Sequence, residues 1–178
     1  MVKIAIFGGS FDPPHFGHQT IIKSALETLD IDKIIVIPAY LNPFKTSSFA
    51  SSNQRLLWCK RIFKNNDRVL VSDFEVINKN SYSSNTIKHF QSIYDVKYLI
   101  IGADNLLSLQ KWYKFDWINQ NIIWAIASRD GINVDNNLVK NWVKIDVEAN
   151  ISSTLIREKK IINGVDKRIK DDIKRIYS

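Results

Sequence analysis

The run Gly8-Gly9-Ser10-Phe11-Asp12-Pro13-Pro14-His15-Phe16-Gly17-His18 joins two stretches of opposite periodicity. Residues 2–7 before it are apolar and β-tolerant, broken only by Lys3, and predict a strand. Residues 18–29 after it place Ile21, Ile22, Ala25, Leu26 and Leu29 on one helical stripe. Strand, glycine turn and helix form the opening unit of an α/β fold. The turn is neither a dinucleotide fingerprint nor a P-loop: it has no G-x-G-x-x-G, and no Lys-Ser/Thr follows its last glycine. Its parts nonetheless suit phosphate. Gly8 and Gly9 let backbone approach a ligand, and Ser10 offers a hydroxyl. Pro13 and Pro14 stiffen the turn without leaving an N–H to satisfy. Gly17 and His18 open a helix whose N-terminus attracts anions. His15 and His18 add two donors able to carry charge. The bland alternative is a tight turn with two incidental histidines. Zinc is a weaker reading, because it wants three or four protein ligands and no third stands nearby.

Outward from this turn the alternation continues. Strands are expected at 33–37, 68–72, 97–101, 122–127 and 144–147. Helices are expected at 54–63, with Leu56, Leu57, Ile62 and Phe63 inward, and at 84–94, with Ile87, Phe90, Ile93 and Tyr94 inward. Two more helices, near 153–162 and 166–177, are separated by Asn163-Gly164, a helix-stop signal. Short apolar strands alternating with helices predict a doubly wound parallel sheet with C-terminal helices. The 178 residues suit one domain over 1–178, with 151–178 its C-terminal helical portion. Ligands of such sheets sit beyond the carboxyl ends of the strands, so functional residues should follow strands.

Composition narrows the class. With 45% apolar and 24% charged residues the chain is an ordinary globular protein. No apolar run reaches the ~18 residues of a membrane span, and the first strand is too short for a signal-peptide core. Cys59 is the only cysteine, which excludes an intramolecular disulfide and a multi-cysteine zinc site. The cytoplasm is the default compartment. The net charge of +7 fits either plain solubility or a polyanionic partner. Much of the excess lies in the tail, at Lys159, Lys160, Lys167, Arg168, Lys170, Lys174 and Arg175, interleaved with acids as on a solvated helix face.

Four further stretches carry chemistry. In Ile151-Ser152-Ser153-Thr154-Leu155-Ile156-Arg157, three hydroxyl residues open a helix. Capping needs one of them, which leaves the others for polyphosphate, and Arg157 one turn in can grip phosphate oxygens in bidentate fashion. Gly102 and Asp104 follow the fourth strand, where an acid often meets a ribose or a metal, although a plain turn is equally common. Lys45 follows the second strand and can reach phosphate, with a solvated lysine as the default. Trp112 and Tyr113 follow closely on Asp104; a Trp is usually packing, but here it can also stack on a cationic pyridinium.

These residues resemble a known family. Gly-Gly-Ser-Phe-Asp-Pro-x-His-x-Gly-His and Ile-Ser-Ser-Thr-x-x-Arg resemble the nucleotidyltransferases with a (T/H)-x-G-H signature. Pro38…Pro43-Phe44-Lys45, Ser81-Tyr82-Ser83-Ser84-Asn85-Thr86 and Gly102-Ala103-Asp104…Trp112-Tyr113 narrow the resemblance to the bacterial nicotinate mononucleotide adenylyltransferases, over nearly the whole chain and in order. The resemblance implies a Rossmann-like nucleotidyltransferase fold and AMP transfer from ATP to nicotinate mononucleotide in NAD biosynthesis. It implies that Gly8, Gly9, Ser10, Phe11, His15 and His18 hold the ATP phosphates and ribose, and that Gly102 and Asp104 contact adenosine. Ser152, Ser153 and Arg157 would hold the β and γ phosphates. Trp112 would stack on the pyridine, whose carboxylate meets backbone amides near Ser83 and Tyr113. His15, His18, Lys45 and Arg157 form the catalytic inventory, and Lys45 also serves the mononucleotide. The chain departs from the family at Ser83, where Thr is common, at Asn78-Lys79-Asn80, where Arg and Gly-Pro are common, and in lacking a proline before the last helix.

The nucleophile implied is a phosphate monoester, largely dianionic at neutral pH, so no general base is required. Catalysis reduces to positioning and charge neutralisation, with Mg²⁺ carried by phosphate oxygens and water rather than a protein cage. The expected partners are ATP and nicotinate mononucleotide, with no nucleic acid and no membrane. Rival acceptors are nicotinamide mononucleotide, phosphopantetheine, for which Thr typically replaces His15, and small phosphates receiving a cytidylyl group. A rival of another class is a basic nucleic-acid-binding module, but the basic residues lack interleaved stacking aromatics.

Overall fold

A computed structural model describes residues 1–128, 131–148, 152–159 and 162–177. Six strands form one parallel sheet: β1 (Lys3–Gly9), β2 (Lys33–Pro38), β3 (Val69–Val71), β4 (Asp95–Gly102), β5 (Ile123–Ser128) and β6 (Trp142–Asp146). Their order is β3-β2-β1-β4-β5-β6. The chain winds outward from β1 to one edge, returns through β4 beside β1, and winds to the other edge. The reversal therefore lies between β1 and β4, which pair in register at Phe7 and Ile100. A doubly wound sheet opens its ligand crevice there.

The helices are α1 (Phe16–Thr28), α2 (Ser52–Phe63), α3 (Phe74–Ile77), α4 (Ser83–Gln91), α5 (Phe115–Asn121), α6 (Ser153–Lys159) and α7 (Lys170–Ile176). Alternate strand residues feed two cores, because successive side chains leave a strand on opposite faces. Ala5, Phe7, Ile34 and Val36 pack with Ile22 and Ala25 of α1, Trp58 and Cys59 of α2, and Ile173 of α7. Ile4, Ile6, Ile35 and Ile37 pack on the other face with Ile87 and Phe90 of α4 and Ile118 of α5. The tail is docked rather than trailing: Trp58 Nε1 and Arg61 Nη1 both donate to Asp172 Oδ2, at 3.2 and 2.7 Å. Part of its basic charge is paired, as in Arg168–Asp166 at 2.7 Å and Arg175–Asp172 at 3.0 Å. Among the described residues no helix is long and apolar enough to cross a membrane.

The doubly wound sheet agrees with the sequence pattern, with two corrections to the inward faces. Leu57 is 43% exposed. Helix α2 starts at Ser52, with Ser51 Oγ accepting from Gln54 N, and its phase turns Arg55, Trp58, Cys59 and Ile62 inward instead. Ile93 is 51% exposed, because α4 ends at Gln91 and Ile93 lies beyond its cap. The Asn163-Gly164 break is a 3₁₀ turn at Ile162–Gly164. Ile151 and Lys160, named in the sequence motifs, lie outside the described residues.

Candidate active site

The crevice beyond β1 and β4 is a cleft of about 960 Å³. At its heart α1 begins with a reciprocal cap built from the two histidines. His15 Nδ1 accepts from Gly17 N, and His18 Nδ1 accepts from His15 N, both at 3.1 Å. The rings lie 3.8 Å apart. An Nδ1 that accepts a hydrogen bond carries no proton, so bonding assigns the Nε2–H tautomer to both rings. Burial pushes the His15 imidazole down to about 4. His18 is also pushed well down, by loss of water and then by His15 beside it. Both line the cleft. The sequence suggested donors able to carry charge; the structure makes them neutral Nε2–H donors, fixed by their own helix cap.

Phe11 is 1% exposed and takes a left-handed φ of 49°. Its ring supports His18 at 4.8 Å and Phe7 at 5.5 Å, and a Cβ on Gly9 would meet it at 3.1 Å. Phe11 is therefore a floor beneath the loop and not part of the cleft lining, while Gly8, Gly9 and Ser10 are. Gly102 and Asp104 line the cleft after β4, and a Cβ on Gly102 would strike Asp104 Oδ1 at 2.7 Å.

The Ser-Ser-Thr turn converges on the same loop. Ser152 lines the cleft and caps α6, its Oγ accepting from Leu155 N at 3.1 Å, which leaves its O–H free to donate. Ser153 Oγ donates to Pro13 O at 2.9 Å. Arg157 Nη1 donates to Asp12 O, its guanidinium lies 4.8 Å over the Phe49 ring, and Nη2 donates to Thr154 Oγ1 at 3.3 Å. All three hydroxyls thus have partners, where the sequence left two unused. Ser153 and Arg157 stand behind the loop and hold it. The Asp12 carboxylate binds this region further, accepting from Phe49 N, Ala50 N and Tyr177 Oη. Buried Arg55 donates to the carbonyls of Ser10, Tyr40 and Ala50, tying together the loops after β1 and β2. The second of these loops carries exposed Lys45 to the cleft through a turn closed by Lys45 N on Asn42 O.

The far end of the cleft is lined by Ser81, Tyr82, Ser83, Trp112 and Tyr113. Helix α4 starts there without a side-chain cap at Tyr82, which leaves its first N–H groups without helical partners. The Tyr82 and Tyr113 rings meet at 4.7 Å across this end. Trp112 stands edge-on to Trp124 at 6.0 Å, and its buried Nε1 has no partner among the described residues. One acid on this wall escaped the sequence reading. Glu75, 6% exposed, lines the cleft four residues after the end of β3. The strand before it is expected at 68–72, close to the observed β3, but Glu75 stands on the short helix α3 beyond that strand, which periodicity does not register. Among the described residues no cluster of three His, Cys, Asp or Glu side chains gathers as a metal site.

Glycine loop, neutral histidine pair and hydroxyl helix at a parallel-sheet crossover define a nucleotidyltransferase. A model of the cytidylyltransferase-like family matches residues 6–159, and the chain belongs to that family. Within it the chain belongs with the nicotinate-nucleotide adenylyltransferases. A Sulfurovum protein named "Probable nicotinate-nucleotide adenylyltransferase" is 49% identical, over 97% of this chain and 93% of its own length. One of the same name from Campylobacter fetus is 44% identical, over 99% and 97%. In fold the chain is similar to Plasmodium falciparum nicotinic acid mononucleotide adenylyltransferase solved in complex with NaAD, with TM-score 0.71, 20% identity, and coverage of 98% of this chain and 90% of that one.

Proposed function

We propose that the cleft transfers AMP from Mg·ATP to nicotinate mononucleotide, giving nicotinate adenine dinucleotide and pyrophosphate. The observation that carries this reading is the convergence of the β1 loop and the α6 turn through Ser153 Oγ and Pro13 O, which sets His15, His18 and Ser152 on one wall. An oxygen of the mononucleotide phosphate attacks the α-phosphorus of ATP. The new P–O bond forms as the bond to the bridging oxygen breaks, and pyrophosphate leaves with that electron pair. No proton need move, since the attacking phosphate is already largely dianionic.

The difficulty is bringing two polyanions into line, and the chain's own groups address it. Neutral Nε2–H donors from His15 and His18, the Ser152 O–H and the backbone of Gly8 to Ser10 surround the triphosphate, and Lys45 supplies mobile positive charge at the rim. Arg157 and Ser153 act first by fixing the loop, and the N–H groups of Arg157 not spent on Asp12 O and Thr154 Oγ1 are left to meet phosphate. The donors at this end are N–H and O–H groups, and the Asp12 carboxylate is turned onto backbone amides and Tyr177. Mg²⁺ accordingly arrives as part of the nucleotide substrate, held by phosphate oxygens and water. Gly102 and Asp104 face the adenosine. The pyridine stacks on Trp112, with its carboxylate on the uncapped start of α4 at Ser83 and on the amide of Tyr113.

Pyrophosphate release with Mg·ATP and a panel of acceptors tests the reading. Turnover is expected with nicotinate mononucleotide and not with phosphopantetheine. The reverse pattern would remove the pyridine assignment.

A further inference from the structure

Glu75 has no part in the chemistry above, yet it is built into the pyridine end of the cleft. Its Oε1 accepts from Thr86 Oγ1 at 2.7 Å. Asn80 Nδ2 donates to Thr86 Oγ1 at 3.0 Å and to Tyr82 O at 3.1 Å, so the loop entering α4 is laced to this carboxyl. Among the described residues Oε2 takes no hydrogen bond, and Glu75 lines the cleft.

Thr86 and Ser83 lie three apart in α4 and therefore on neighbouring positions of one face. A ring carboxylate resting on the Ser83 amide comes to the same helix end as the Glu75 carboxyl. Two carboxylates confined to one poorly hydrated site do not both stay ionised cheaply; one takes a proton. Lys45 and Lys111 line the same cleft, while other charges on the surrounding elements are engaged elsewhere. Asp73 beside Glu75 meets Lys60 of α2 at 3.8 Å, Lys88 of α4 lies over Trp117, and His89 of α4 stacks on Phe74. Lys79 in the loop is exposed, and Tyr82, also exposed, lines the cleft. None of these charges moves the Glu75 carboxyl: burial pushes it up to about 7, against the pull of the Thr86 hydroxyl.

We propose that Glu75 is the specificity-determining residue for the ring substituent of the pyridine mononucleotide: with its proton it donates to a ring carboxylate, and without it it repels that carboxylate and accepts from a ring amide. The inference rests on the pyridine reading of this cleft. The ring carboxylate stays ionised throughout the neutral range, and the phosphate titrates alike in both mononucleotides. The ratio of their kcat/KM values therefore isolates the ring end.

The test measures that ratio for nicotinate over nicotinamide mononucleotide between about pH 6 and pH 8.5, in the native chain and in Glu75→Gln. Gln keeps the shape and the acceptor for Thr86 but cannot titrate. The native ratio is expected to fall by about 10-fold as pH rises, the scale of one carboxylate acting on another. The Gln ratio stays flat, and KM for ATP is the same in both proteins. A flat native ratio, or parallel profiles in the two proteins, overturns the assignment. If the Gln variant does not turn over, proton uptake by the native protein on binding nicotinate mononucleotide at about pH 7.5 decides, read by calorimetry in buffers of different ionisation heat. Uptake approaching one proton upholds the assignment and none overturns it. Turnover of a non-pyridine acceptor alone would end the pyridine reading itself, a result distinct from either profile.

Discussion

The two ends of the cleft are built by different means. The end proposed to hold phosphate is local: eleven consecutive residues supply the loop, the floor and both histidines, and a second short segment locks on from behind. The end proposed for the pyridine is assembled from α3 and the loop before α4, joined by side-chain hydrogen bonds, and the turn at Trp112-Tyr113, which meets them through the Tyr82 and Tyr113 rings. The first end holds groups that burial keeps neutral by shedding protons, the second a carboxyl that burial makes hold its proton up to about pH 7. The comparison predicts that damage at one end leaves substrate affinity at the other intact.

The largest effect belongs to His18→Ala. Losing an aimed donor at the transferring phosphate should lower kcat by about 10²–10³-fold. Losing its share of the helix cap should cost only about 1 kcal/mol of stability. Turnover and urea denaturation check both, and near-native turnover would strike His18 from the phosphate wall.

The two ends also pull stability in opposite directions with pH. Glu75 is raised from an ordinary 4.5 to about 7, so the folded chain holds its proton more tightly than the unfolded chain. Its contribution is complete below about pH 4.5 and is lost as pH rises through 7. The histidines are depressed from an ordinary 6.5, so theirs is complete above that pH and is lost as pH falls through about 4 for His15. Glu75→Gln should therefore gain up to about 3 kcal/mol relative to the native chain between pH 4.5 and pH 8. A pH-independent difference in urea midpoints would contradict the shift.

Trp112→Ala should raise KM for the pyridine mononucleotide by about 10-fold, the scale of one buried aromatic contact to a cation, with KM for ATP unchanged. A rise in KM for ATP instead would merge the two ends. The smallest effect is expected at Tyr177→Phe. It removes one of the hydrogen bonds on buried Asp12 and should cost about 1–2 kcal/mol in thermal unfolding, with a modest fall in kcat through the loop.

What the sequence disclosed follows the same division. The parallel sheet and the β1 loop were legible because strand, glycine turn and helix are contiguous and their periodicities differ. The convergence of the α6 turn on that loop could be anticipated only as a requirement; Ser153 and Arg157 look in sequence like phosphate ligands, and their bonds to Pro13 O and Asp12 O exist only in three dimensions. The neutrality of the histidines was hidden because it depends on which ring nitrogen accepts from backbone. Glu75 was hidden because it sits on α3, which at four residues is too short for periodicity to register. Leu57 and Ile93 were misjudged for a related reason: a shift of one or two residues at a helix end rotates or releases a whole face.

The most direct measurement is a crystal structure with Mg²⁺ and a non-hydrolysable ATP analogue. Triphosphate oxygens are expected within hydrogen-bonding distance of Nε2 of His15 and His18 and of the Ser152 hydroxyl on the same wall, with the adenosine toward Gly102 and Asp104. A triphosphate touching only one of the two segments, or lying outside the cleft between β1 and β4, would contradict it.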